Sequence, residues 1–181
     1  VLLVSDECYI DLGWDVTPIS LLHREVSGGD AYGLLVVHSL SKRSNLAGYR
    51  AGFLAGDKDV VQAVLEVRKH SGLILSTPVQ RAAIAAFSDV EHVAIQKARY
   101  AARREHVLAA AARAEFQVSH SNAGLYVWAT RDEDEWESVN WFANRGVLVA
   151  PGSFYGEAGK GFVRIALTAS DERISALAKR F

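Results

Sequence analysis

His38-Ser39-Leu40-Ser41-Lys42-Arg43-Ser44-Asn45-Leu46-Ala47-Gly48-Tyr49-Arg50-Ala51-Gly52 is the stretch on which the fold turns. Before it runs Leu34-Leu35-Val36-Val37, and it ends in Ala51-Gly52-Phe53-Leu54-Ala55-Gly56. The first run reads as a strand of a parallel sheet covered on both faces, because it is continuously aliphatic. The second, with glycine near both ends, reads as a further strand. A turn between strands does not need a lysine flanked by hydroxyls and two arginines. Ser39, Ser41 and Arg50 around Lys42 make a cradle for phosphate, since arginine grips phosphate with two parallel bonds. A lysine held beside other cations loses some of its preference for the charged form, so the Lys42 pKa is expected to fall. A neutral amine can attack a carbonyl and form a Schiff base. The same composition also suits a solvated loop with incidental charges, and composition alone leaves both readings open.

Outward from this turn, Val1–Val4 reads as a buried strand followed by a polar loop, Ser5 to Asp11. Asp57 reads as the N-cap of a helix, with Val60, Val61, Val64 and Leu65 at helical spacing and Ser71-Gly72 at its end. Ser76-Thr77-Pro78 starts a second helix, with proline in its first turn, running to about Phe87. Val90 to Arg113 carries almost no breaker and reads as one long helix. Its basic residues alternate with Glu91 and Glu105, which is a solvated face and not a nucleic-acid stripe. The remainder changes character. Phe116–Val118, Leu125–Trp128, Val147–Val149 and Phe162–Leu167 read as short strands. Asp134 to Asn144 reads as a helix with Trp136, Val139 and Ala143 on its stripe, and Ser170 caps a last helix. The pattern predicts an α/β fold in two parts, residues 1–95 and 96–181, joined within the long helix.

The chain has 181 residues, half of them apolar and 23% charged, with a net charge of −1. A chain of this length buries roughly 70% of its unfolded surface and needs no disulfide staple. The charge balance supports neither nucleic acid nor an anionic membrane as the main partner. No apolar run reaches the roughly 18 residues of a membrane span. One cysteine, Cys8, fits a reducing compartment, and a cytoplasmic location is expected. The histidines form no ligand spacing and the glycines form neither a dinucleotide nor a Walker pattern, so no metal, nicotinamide or ATP site is expected. The chain contains no Met and opens on Val1-Leu2-Leu3-Val4, from which an upstream portion is expected.

Ser39-Leu40-Ser41-Lys42, followed eight residues after the lysine by Arg50 in Gly48-Tyr49-Arg50-Ala51-Gly52, resembles the lysine motif of fold-type I, pyridoxal-phosphate-dependent aminotransferases. Asp6-Glu7-Cys8-Tyr9, 36 residues before Lys42 counted from Asp6, resembles the D-x-x-Y motif of that family. Val163-Arg164-Ile165-Ala166 resembles its carboxylate-binding arginine segment. The three occur in the family's order and span almost the whole chain. The resemblance implies a partial large domain with a mixed, mainly parallel sheet, followed by a smaller C-terminal α/β domain. It implies pyridoxal 5'-phosphate as cofactor and a homodimer in the full-length protein. Lys42 would bond to the cofactor aldehyde and, once freed, shuttle a proton between Cα and C4′. Asp6 would pair with the pyridine nitrogen, and Tyr9 would hydrogen-bond the phenolic oxygen. Ser39, Ser41 and Arg50 would hold the phosphate, and Arg164 the substrate α-carboxylate.

Asp6-Glu7-Cys8-Tyr9, His38 through Phe53, and Val149-Ala150-Pro151-Gly152-Ser153-Phe154-Tyr155-Gly156 are together similar to bacterial N-succinyldiaminopimelate aminotransferases. That resemblance implies amino transfer between glutamate and a succinylated keto acid on the route to lysine and diaminopimelate. Aspartate and kynurenine aminotransferases share the same core. A carbon–sulfur lyase or a ligand-sensing domain of a regulator on the same scaffold are the remaining alternatives. In the resembled family the ring-stacking aromatic, a phosphate-binding glycine turn, an asparagine and a tyrosine reaching across the dimer all precede the D-x-x-Y strand. None has a counterpart here. Cys8 reads as a small packed residue.

Overall fold

The computed structural model describes residues 1–177, 179 and 180. The chain divides into two compact units, Val1–Ile95 and Gln96–Phe181. In the first, β1 (Leu3–Asp6), α1 (Arg24–Ser27), β2 (Leu34–Ser39), α2 (Leu40–Arg43), β3 (Gly52–Gly56), α3 (Lys58–His70) and α4 (Thr77–Ser88) follow in order. The boundary falls inside α5 (Glu91–Arg113). The second unit adds β4 (Gln117–Val118), β5 (Tyr126–Thr130), α6 (Glu135–Ala143), β6 (Ala150–Pro151), β7 (Val163–Ala166) and α7 (Asp171–Leu177).

The first sheet runs β1-β2-β3 and is mixed: β1 pairs parallel with β2, and β3 returns antiparallel to it. The parallel pair sets Asp6 beside Val37, one strand away from the Lys42 turn. The antiparallel pair sets Gly52 against Ser39, so the turn begins and ends at the same level of the sheet. Gly52 is required there because a Cβ would collide with the His38 carbonyl. Asp57 does two jobs. Its carboxylate accepts the Asp59 and Val60 amides at the start of α3 and also the Gly33 amide at 2.7 Å, tying the entry of β2 to the exit of β3. Glu7 anchors the long connection after β1, accepting from the Leu21 amide at 2.7 Å and the Ser20 hydroxyl at 3.1 Å.

One expectation is corrected at β1. Leu3 and Val4 are half-exposed, not buried, because within the described residues little packs over their faces and β1 pairs only with β2. Leu35 and Val36 of the central strand are buried, as continuous aliphatic patterning requires of a strand with neighbours on both sides.

The second sheet, β4-β5-β7-β6, is antiparallel at every pairing. Val127, Ala129, Val163, Ile165 and Leu167 are buried, as are Tyr100, Val107, Ala110 and Ala111 of α5, and these side chains form the core of this unit. Two expectations differ here. The strand read at Val147–Val149 forms later, at Ala150–Pro151, and Leu148 is almost fully exposed. The buried face of α6 is Glu135, Ser138 and Phe142, not the stripe of Trp136, Val139 and Ala143. Polar groups bury there because each has a partner: Glu135 accepts the Gly161 amide at 2.9 Å, and the Ser138 hydroxyl donates to Glu133 at 2.6 Å. Apolar periodicity is blind to such a face.

Phe142 is almost fully buried, with its ring 4.9 Å from Phe116 and 5.1 Å from Trp141. Phe142→Ala is expected to destabilise this unit by about 3–5 kcal/mol, the transfer loss plus the cavity left behind. Urea unfolding monitored by tryptophan fluorescence measures it, and a midpoint equal to wild type would place Phe142 outside the core.

Candidate active site

The Lys42 turn is built by capping. Ser39 is the last residue of β2 and the N-cap of α2, its hydroxyl oxygen accepting the Ser41 amide at 3.1 Å. The same hydroxyl donates to Ser41 Oγ at 2.9 Å, so the two hydroxyls are held side by side. Leu40 is fully buried and pins the turn to the unit's interior. Lys42 follows two residues later, on the last turn of α2, with Nζ 5.9 Å from the centre of the Tyr9 ring. Arg43 points elsewhere: its guanidinium donates to the Ala86 carbonyl at 3.1 Å and pairs with Asp11 at 3.4 Å, which docks α2 on the end of α4. His92 supports the far side, with Nε2 2.9 Å from Ser44 Oγ and Nδ1 2.9 Å from Asp89.

Arg50 closes the turn in the left-handed region, at φ 53°, where a non-glycine residue is uncommon. Its side chain is exposed, and its guanidinium donates to the Ala47 carbonyl at 3.0 Å. Ser39, Ser41 and Arg50 line one cleft of about 480 Å³, together with Cys8 and a wall from α3. Asp6, Tyr9 and Lys42 are not part of that lining.

Asp6 stands at the end of β1 and accepts the Cys8 amide at 3.0 Å. The Cys8 thiol, then this amide, hold its carboxyl below the usual carboxylate range. Asp6 is therefore an anion at neutral pH. In return, burial first and the bond to Asp6 second push the Cys8 thiol up to about 11. Cys8 is a protonated donor to Asp6 at neutral pH, which removes it as a nucleophile. Its placement as a small packed residue agrees with its half-buried position.

In the second unit, Arg164 lies on β7 opposite Trp128. Its guanidinium carbon is 4.0 Å from the centre of the Tyr126 ring and 4.6 Å from that of Tyr155. Its Nε is buried and has no hydrogen-bond partner among the described residues.

The model of the aminotransferase class I and II family matches residues 1–181. The chain belongs to that family. Aminotransferases of this class are pyridoxal-phosphate-dependent enzymes, and the mixed α/β architecture is that of their fold. The chain is 56% identical over 180 residues to "Probable aminotransferase Rv1178" of Mycobacterium tuberculosis, covering 99% of this chain and 43% of that protein. It is 56% identical over 178 residues to the 4-dedimethylamino-4-oxo-anhydrotetracycline transaminase OxyQ of Streptomyces rimosus, covering 98% of this chain and 50% of that one. An aminotransferase crystal structure from Neisseria meningitidis superposes with a TM-score of 0.87 at 34% identity, covering 99% of this chain and 47% of that chain. The chain thus spans about half the length of the curated relatives it matches.

Within this member of the family the structure brings Lys42 to Tyr9, Ser39 to Ser41, and both serines with Arg50 to one cleft. Sequence reasoning passed over three features. The first is the thiol–carboxylate pair of Cys8 and Asp6. The second is the stack of His38 on Phe53, rings 5.2 Å apart, with Asp11 at 3.8 Å from Nε2. The third is the pair of tyrosines at Arg164. The last left only a partial trace in the sequence, Tyr126 within the strand read at Leu125–Trp128, and Tyr155 left none.

Proposed function

We propose that the full-length protein containing this chain transfers an amino group between an amino acid and a 2-oxo acid, using pyridoxal 5'-phosphate. One observation carries the reading: a lysine at a tyrosine ring, next to a paired-hydroxyl turn closed by an arginine, in a chain that the family matches throughout. Residues 1–95 serve as the C-terminal part of the large cofactor-binding domain and 96–181 as the small domain.

The residues present fit the cofactor. Ser39 and Ser41 offer hydroxyls and Arg50 a planar fork, a donor set suited to phosphate. Asp6, held ionised, suits a protonated ring nitrogen. Tyr9 offers its hydroxyl to the phenolic oxygen, and Lys42 its amine to the aldehyde. Pyridoxal phosphate, when bound, supplies an electron sink for the substrate α-carbon. The Asp6 carboxylate keeps the proton on the ring nitrogen, and so keeps that sink effective. The amine of Lys42 would take the proton from the substrate Cα and hold it for return. The Arg164 fork binds the α-carboxylate and orients the Cα–H bond for that transfer.

For the substrate pair we favour glutamate with an N-succinylated keto acid of the diaminopimelate route, on the resemblance of residues 38–53 and 149–156. We place the full-length protein in the cytoplasm as a homodimer, the homodimer on the family resemblance and the location on the single cysteine of this chain.

The test loads the full-length protein with pyridoxal phosphate and measures 2-oxoglutarate formed from glutamate against a panel of oxo acids. Pyruvate and thiol release from a β-thio amino acid, without amino transfer, would overturn the reading in favour of a lyase. Arg164→Lys is expected to raise KM for both substrates by roughly 10- to 150-fold, the loss of a charge-assisted bond of about 1.5–3 kcal/mol. Cofactor affinity should not change. Unchanged KM values would place the α-carboxylate elsewhere.

A further inference from the structure

We propose that Tyr126 and Tyr155 are positioning residues that hold the Arg164 guanidinium by its face so that its edge stays free for a carboxylate. The proposal rests on the reading of Arg164 as the carboxylate grip. Strands β5 and β7 are antiparallel, with Trp128 opposite Arg164 and Tyr126 opposite Ala166. Side chains alternate along a strand, so Tyr126, Trp128 and Arg164 share one face of the sheet. Tyr155 reaches that face from the turn Gly152–Tyr155, its ring edge-on to Trp128 at 5.8 Å. Trp128 is itself stacked on Phe162 at 5.5 Å. Tyr126 is placed by its strand, and Tyr155, half-exposed, rests on one side against this wall of rings.

What these rings do follows from how an arginine can be held. A carboxylate of the protein would hold it by its N–H edge and occupy the donors that a substrate needs. Among the described residues Arg164 has no such carboxylate, and its buried Nε donates to nothing. A ring attracts the cation through its π face and uses none of the in-plane N–H groups. Two rings at 4.0 and 4.6 Å restrict the guanidinium while leaving its fork unspent. A fork ordered in advance loses less rotamer freedom when the carboxylate arrives. The rings are therefore a device for affinity, and their effect belongs in KM.

The experiment uses the full-length, cofactor-loaded protein. Tyr155→Leu is expected to raise KM for the amino acid and the oxo acid together by about 3- to 30-fold, the range of a partly desolvated cation–π contact. The kcat and the cofactor affinity should be nearly unchanged. Tyr155→Phe keeps the ring and should keep wild-type KM values. Calorimetry with 3-phenylpropanoate, a carboxylate that cannot react, should show the same loss for Leu and the same rescue by Phe. Arg164→Ala runs beside them. If it raises KM while Tyr155→Leu does not, the positioning role is overturned and the carboxylate grip stands. If Arg164→Ala leaves KM unchanged, both fall. A Phe variant as impaired as Leu would assign the effect to the hydroxyl and overturn the proposal. Should Tyr155→Leu fail to fold, Tyr126→Leu is judged by the same criteria.

Discussion

Lys42→Ala in the full-length protein is expected to abolish amino transfer. The amine at this position has two tasks, bonding to the cofactor aldehyde and moving the α-proton, and alanine can do neither. Removing a positioned proton-transfer group alone costs roughly 10²- to 10⁴-fold, and the covalent task adds to it. The structure gives the residue its setting: the single turn of α2, Nζ over the Tyr9 ring, with the Ser39–Ser41 pair immediately before it. Borohydride reduction of the loaded protein followed by peptide mapping should mark Lys42. A mark on Lys58 or Lys69 instead, or an alanine variant with wild-type turnover, would sink the assignment.

Asp6→Asn is expected to retain the cofactor and lose most turnover, by about 10- to 150-fold, the equivalent of one charge-assisted bond. The asparagine can still hydrogen-bond, but it carries no charge to keep a proton on the ring nitrogen. The pH dependence adds a second check. The carboxyl of Asp6 lies below the usual carboxylate range because the ionised form accepts from the Cys8 thiol and amide. It stays ionised as pH falls until below that range, so it contributes no acidic limb between pH 5 and 8. The wild-type profile should therefore show no limb from Asp6 in that window, and the turnover lost in Asp6→Asn should grow as pH rises, because no anion then holds the proton on the ring nitrogen. Near-normal rates in the variant would show that another group supplies the anion.

Much of the candidate site was legible because its parts are local in sequence. Ser39, Ser41, Lys42 and Arg50 fall within one turn, and a turn that rich in donors stands out against two aliphatic strands. Asp6 and Tyr9 were legible only through their motif, since a loop aspartate more often caps a turn. The coupling of Asp6 to Cys8 was hidden because it is set by burial of the thiol and by the bend of the backbone after β1.

The sequence by itself determined the longer helices and most of the strands, the cap at Asp57, the helix start at Ser76, the long helix to Arg113, and the lysine turn between two strands. Each of these is specified by neighbours within a few residues. Tertiary structure alone decided the exposure of Leu3 and Val4 among the described residues, which depends on what packs over the sheet faces and not on their own apolar character. It decided the polar buried face of α6, where partners 26 residues away at Gly161 satisfy Glu135. It also decided the tyrosine faces on Arg164, which strand register and a distant turn bring together. Local pattern fixes which element forms, whereas burial and hydrogen-bond partners come from residues far along the chain, and one sequence window holds only half of each pair.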